Sequence, residues 1–281
     1  MPTPTDLAIT PRDRRFQREG APRLWVGGDP FATAFFNALS VTFPRGEAFF
    51  IDSVRAFRDG VPDRLAGEIA AFIKQEVVHS REHVAFNRQV TDHGYDVTLL
   101  DADVTKVLDL AAQRAPILNL AATMALEHFT AILAHELLAD PRHLAGADEH
   151  VASLWRWHAV EEIEHKGVAC DTWLHATRDW SAWQRWRVRS LMMLVVTKQF
   201  LHHRTRGMIE LLRQDGVTGL RAWGGLLRHV LLRPGMVRRV ALPWARYFLP
   251  GFHPWQVDDR ALIAAEGPSH ALPEGAPLPA A

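Results

Sequence analysis

Two segments of this 281-residue chain set a glutamate and a histidine three positions apart, Glu76-Val-Val-His79 and Glu162-Ile-Glu-His165. On a helix that spacing puts carboxylate and imidazole side by side on one face. Both pairs belong to apolar stripes of helical period: Ile69, Phe72, Ile73, Glu76, His79, His83 and Phe86 in the first, Val151, Leu154, His158, Glu162, His165, Ala169 and Trp173 in the second. About one such pair is expected by chance in a chain with 15 His, so the signal lies in the context. Glu127 and its neighbour His128 are the only ionisable side chains between Ala115 and Ala134, in a run apolar on every side, which marks a buried helix. Glu47 shares a stripe with Phe43, Phe50 and Val54. One unpaired buried carboxylate costs roughly several kcal/mol, whereas four carboxylates are balanced by two divalent cations. The mixture of carboxylate and imidazole suits iron or manganese. The ligand set read from the sequence is therefore Glu47, Glu76, His79, Glu127, Glu162 and His165. Two iron ions are the expected cofactor, with manganese or a mixed manganese–iron pair as the alternative.

Three residues stand at the edge of that set. His158 lies four residues before Glu162 and His83 four after His79, so each is an additional ligand, a partner of a ligand or a packed histidine. Glu161 is an alternative to Glu162, which is preferred because it keeps the Glu-x-x-His spacing. His128, Glu164, His135 and Glu136 read as flanking polar residues. The only tyrosines, Tyr95 and Tyr247, lie outside the ligand helices, which speaks against a stable tyrosyl radical.

Elements able to position these residues are all helical. Periodicity and proline placement predict a helix from Pro30 to near Thr42 and another from about Arg45, then helices over Pro62–His93, Leu99–Arg114, Pro116–Ala139, Gly146–Thr177, Ser181–Gln214, Val217–Leu232 and Val237–Phe248. No stretch alternates with period two and no repeat is visible, so the fold class is all-α: a four-helix bundle with additional C-terminal helices. The chain divides into an N-terminal extension (1–28), the di-metal bundle (29–177), a basic Trp-rich helical region packed on it (178–260) and a tail expected to be disordered (261–281). Composition is globular, 48% hydrophobic and 23% charged, with 32 basic against 32 acidic side chains. That balance speaks against nucleic-acid binding. It hides an asymmetry, because residues 178–260 carry 15 Lys plus Arg against five acids. This segment is expected to cover the acidic bundle, with peripheral membrane contact as the second reading. One cysteine, Cys170, and no secretory signal at the N-terminus make the cytoplasm the expected location, with the inner-membrane surface as its variant.

The ordered set Glu, Glu-x-x-His, Glu, Glu-x-x-His resembles the di-metal motif of ferritin-like bundles. More narrowly, Phe43-Pro-Arg-Gly-Glu47, Gln75-Glu-Val-Val-His79, Leu126-Glu-His128, His158-Ala-Val-Glu-Glu162 with His165, and Phe252-His-Pro-Trp255 resemble a bacterial family described as predicted metal-dependent hydrolases. The extra His158 is similar to the third imidazole of arylamine N-oxygenases. The ferritin-like resemblance implies a non-haem di-iron oxidase or oxygenase that activates dioxygen, draws on an electron donor and acts on an apolar or aromatic small molecule. The hydrolase resemblance implies the alternative, hydrolysis by a metal-bound hydroxide. Iron storage is disfavoured by the long C-terminal extension.

Overall fold

The computed structural model describes residues 4, 6–16 and 20–267. Among them the fold is all-α, with a single isolated β-bridge between Val26 and Ala147. Helix α1 (Pro30–Ser40) starts at Asp29, whose carboxylate accepts from the N–H groups of Phe31 and Ala32, with Pro30 pre-set in the first turn. Helix α2 (Phe43–Arg55) begins earlier than the expected Arg45. Pro44 falls in its first turn, where its missing N–H has no helical partner to lose. Helices α3 (Asp63–Asp92), α4 (Thr98–Ala112) and α5 (Pro116–Ala139) follow the sequence pattern.

The helix expected over 146–177 is divided into α6 (Glu149–His165) and α7 (Val168–Ala176). Gly167 is a poor helix interior residue, costing about 1 kcal/mol against Ala. Lys166 is drawn sideways at the same point, its ammonium bonding to Asp259 and to the Val257 carbonyl at 2.9 Å. Helix α8 (Ala182–Gln214) opens with a reciprocal cap between Ser181 and Gln184, and α9 (Gly219–Leu231), α10 (Met236–Arg246) and α11 (Arg260–Ala265) complete the order. The segment expected to be disordered from 261 thus begins inside α11, and residues 268–281 lie outside the described residues.

Helix α2 packs on α3, α5 on α6, α2 on α5 and α3 on α6, so the four glutamate-bearing helices close a ring around one core. Phe72, Leu120, Trp157, Ile163 and Trp173 are fully buried in it. The N-terminal extension is part of this body: Trp25 donates to Asn37 at 2.9 Å, and residues 10–16 lie across α3 and α6. Helix α8 packs on α1 and α5, and α10 on α5. Arginines of the basic region meet acids of the bundle, as in Arg206 with Asp103 at 2.7 Å and Arg239 with Glu136 and Asp140, each at 3.3 Å. Its outer face keeps Trp183, Leu191, Leu220 and Leu242 exposed. Among the described residues one helix, α5, is long and apolar enough to cross a membrane, and it is mostly buried in the protein.

Candidate metal centre

Glu47 from α2, Glu76 and His79 from α3, Glu127 from α5, and Glu162 and His165 from α6 all point into the ring, and Glu76, His79 and His165 are 0% exposed. Their ligand atoms fall into overlapping groups. Glu47, Glu76 and His79 form one, Glu76, Glu127 and His165 another, and His79, His158 and Glu162 a third. Glu76 therefore stands between the two imidazoles. Glu162 does the same: Oε1 lies 2.9 Å from His158 Nε2 and 3.7 Å from His79 Nδ1, while Oε2 lies 3.5 Å from His165 Nε2. His165 Nε2 is also 3.2 Å from Glu76 and 3.4 Å from Glu127. Two ligand atoms each about 2.1 Å from one ion sit roughly 3.0–3.4 Å apart, from right-angled to tetrahedral. Four of these five separations lie within about 0.1 Å of that range, and the fifth, Glu162 to His79, is 3.7 Å.

The donor atoms facing this space have no hydrogen-bond partner among the described residues: Glu47 Oε1, both oxygens of Glu76 and of Glu127, Glu162 Oε2, His79 Nδ1 and His165 Nε2. Buried polar atoms are seldom left so, and here the orphans converge on one place. The residues present thus fit a pair of divalent cations in number, charge and direction. Without cations, burial pushes Glu47, Glu76 and Glu127 well above the usual carboxylate range, and repulsion from neighbouring carboxylates adds to it. Burial also acts to raise Glu162, but His165 and His158 outweigh it and hold that carboxyl well below the usual range. Burial, helped by the adjacent His158, holds His79 well below 6.5, so its ring is neutral as a ligand must be.

A second layer orients the imidazoles. His79 turns Nε2 to Glu161 Oε2 at 3.1 Å, leaving Nδ1 for the centre. Glu161 is in turn fixed through Oε1 by the Arg12 N–H at 3.2 Å, Arg12 Nη1 at 3.3 Å and the Trp157 indole at 3.1 Å. His165 turns Nδ1 to Gln75 Oε1 at 3.0 Å, while Gln75 Nε2 donates to Glu164 at 2.9 Å and Glu164 takes Arg12 Nη2 at 2.6 Å. Such carboxylate and amide partners fix which ring nitrogen faces a metal.

His158 and His83, alike in sequence, separate here. Asn87 Nδ2 donates to the Ser40 carbonyl at 3.0 Å, so its oxygen must be the acceptor of the Ser40 hydroxyl proton at 2.6 Å. Ser40 Oγ is then left to accept from His83 Nδ1 at 2.8 Å. With that proton on Nδ1, neutral His83 accepts at Nε2 from His158 Nδ1, also at 2.8 Å. With Nδ1 turned to His83, His158 Nε2 lies 2.9 Å from a Glu162 oxygen, a separation that needs a proton or a cation between them. His83 also shares a group with Glu47 and His158, while in this structure its two nitrogens face Ser40 and His158. Phe43 stacks on the His158 ring at 4.9 Å.

Other flanking residues stay out of the cluster. His128 bonds the Pro243 carbonyl at 3.2 Å, His135 faces Asp259 at 2.8 Å, and Glu136 faces His143 at 3.3 Å. Sequence reasoning missed the parts played by Arg12, Gln75, Trp157 and Ser40, and took Glu164 for a simple flanking polar residue. The one available signal was Gln75, directly before Glu76 on a buried stripe.

Comparison with known proteins gives one family. The family model described as predicted metal-dependent hydrolase matches residues 10–258. The match runs from Thr10, whose N–H reaches Glu164 at 3.3 Å, to the residue before Asp259, the partner of Lys166. No curated protein and no solved structure matches the chain.

Proposed function

The chain belongs to that family of predicted metal-dependent hydrolases, and from its metal-binding clusters we propose a dinuclear iron enzyme that uses dioxygen to oxidise an apolar small molecule. Glu47, Glu76, His79, Glu127, Glu162 and His165, together with His158, would hold the two ions. The observation that carries the reading is the convergence of unpaired carboxylate and imidazole atoms in a space buried among four packed helices. Iron, when bound, supplies the electrons that dioxygen accepts, and an external donor restores them. The protein does the rest. Glu161 and Gln75 hold His79 and His165 with one ring nitrogen inward, and the packed aromatic residues Phe72 and Trp157 exclude bulk water. The Ser40–His83–His158 chain offers a path on which a proton passes between His158 Nδ1 and His83 Nε2, away from the centre.

Hydrolysis by metal-activated water is the second reading, and the family's description favours it. An oxygen electrode separates the two. Anaerobically iron-loaded, reduced protein is expected to take up oxygen in proportion to its iron, while the zinc-loaded protein leaves nitrophenyl esters and phosphates intact. Zinc-supported hydrolysis without oxygen uptake by the iron form reverses the assignment.

A further inference from the structure

A pocket of about 160 Å³ lies between α2, α4, α5 and α8. Its walls are mostly apolar, including Phe49, Leu108, Leu126 and Phe200, and Glu47 reaches it from the metal centre. Arg204 of α8 is a buried cation in its wall. That guanidinium donates through Nη1 to the Ala38 carbonyl and to the Thr42 hydroxyl, and it forms no ion pair with any described residue. The nearby Asp103 is already engaged by Arg206 at 2.7 and 2.9 Å. Burial lowers Arg204 only to about 10, so it stays ionised at neutral pH.

The guanidinium lies 6.0 Å from the Phe200 ring centre, and among the described residues the Nε and Nη2 edge of Arg204 thus has no hydrogen-bond partner. It is the edge by which Arg45 grips Asp101, at 2.6 and 2.9 Å, and it matches the two oxygens of a carboxylate. The carboxylate nearest to Arg204, Asp103, is shared with Arg206; a buried cation short of counter-charge is costly, and an anionic ligand removes that cost.

Gly46 supplies a second, independent sign. It lines the same pocket next to Glu47, inside α2, where glycine costs about 0.5–1 kcal/mol against Ala. A Cβ there would meet nothing within 4 Å. The space beside this ligand glutamate is therefore open, and a large side chain at position 46 would extend into it.

We propose that this pocket binds an apolar monocarboxylate, its carboxylate on Arg204 and its hydrocarbon chain running past Gly46 toward Glu47. This names the substrate class of the proposed dinuclear enzyme and rests on that reading. Thr42, which touches Arg204, precedes Glu47 by about 7.5 Å of helix axis. The carbon presented to the metals is then several bonds away from the carboxyl group.

Calorimetric titration of the full chain tests this with decanoate, decanol and decyltrimethylammonium, on zinc-loaded and metal-free protein. Decanoate is expected to bind at least tenfold tighter than decanol, and the ammonium not at all. Arg204→Met should remove the preference and leave decanol binding. Gly46→Leu should weaken decanoate at least tenfold at unchanged metal content. Equal affinities for decanoate and decanol, or a Gly46→Leu protein that binds decanoate like the parent, overturn the proposal, and both hold even if Arg204→Met fails to fold. Selective decanoate binding by a protein that takes up no metal would keep the pocket and sink the dinuclear reading instead.

Discussion

Replacing Glu161 by Gln separates a residue that holds a ligand from one that is itself a ligand. Oε1 of Glu161 receives three donors, the Arg12 N–H, Arg12 Nη1 and Trp157 Nε1, at 3.1–3.3 Å, and Oε2 faces His79 Nε2 at 3.1 Å. When His79 Nδ1 carries a metal, Nε2 bears the proton, so all four neighbours donate. A glutamine must turn its NH₂ toward one side or the other, and either orientation sets a donor against a donor in a buried site. One unmet buried donor costs about 1–3 kcal/mol. Loss of an outer partner of a metal-bound histidine typically costs about 10–100-fold in metal affinity, or about 1.4–2.8 kcal/mol. The two routes agree. Competition titration with a chromophoric chelator at pH 8.5, above the value of about 8 to which burial lifts Glu161, should show one ion weakened by that factor and the other unchanged. Loss of an ion outright from Glu161→Gln, with Glu162→Gln keeping both, would mean that Glu161 is the ligand and the assignment here is reversed.

Glu127→Ala should hold at most one ion per chain by mass spectrometry of metals while its helical circular dichroism stays that of the parent, and two ions would remove Glu127 from the centre. Ser40→Ala leaves the buried His83 Nδ1–H without its acceptor, so urea unfolding should report a loss of about 1–3 kcal/mol; an unchanged midpoint contradicts the proton placement. The metal-free protein should also lose stability as pH rises. Glu47, Glu76 and Glu127 keep protons in the folded state above the pH at which the unfolded chain has released them, so the folded form binds more protons and an increase in pH favours unfolding. His79 acts in the opposite sense only below 6.5, which makes pH 6.5–8 the clean window. Differential scanning calorimetry should show the melting temperature falling across it for metal-free protein and staying flat once zinc has displaced the protons; a rise in the metal-free form is incompatible with the raised carboxyls.

What could be read from the sequence was what helical periodicity determines locally. Glu47, Glu76, His79, Glu127, Glu162 and His165 each lie on an apolar stripe of their own helix, and a stripe must face the core whatever packs against it. Their second layer depends on contacts between distant segments. Arg12 lies in an irregular stretch about 150 positions from Glu161 and Glu164, with no periodicity to mark it. The difference between His83 and His158 was equally hidden, because it is set by Ser40 of α1, a helix with no chemical pattern of its own. The expected continuous helix over 146–177 failed for a similar reason: its apolar stripe does run on through Ala169 and Trp173, but Lys166 is captured by Asp259 from the far end of the described chain.

The last turn of α6 shows why a site legible in one stretch still needs the whole chain. Glu161, Glu162, Glu164, His165 and Lys166 are all buried within six residues. Only Glu162 and His165 are answered within the ring of ligand helices alone. Glu161 and Glu164 are answered by Arg12, ahead of the first helix, and Lys166 by Asp259 and the Val257 carbonyl, behind the last long one. Stripping one partner from a buried ion pair costs about 3–5 kcal/mol, a large share of the 5–15 kcal/mol that stabilises a domain. Buried ion pairs thus cross the divisions near 28 and 178. The polar extension and the basic C-terminal region are the counter-charges that let α6 carry so many ionisable groups into the core.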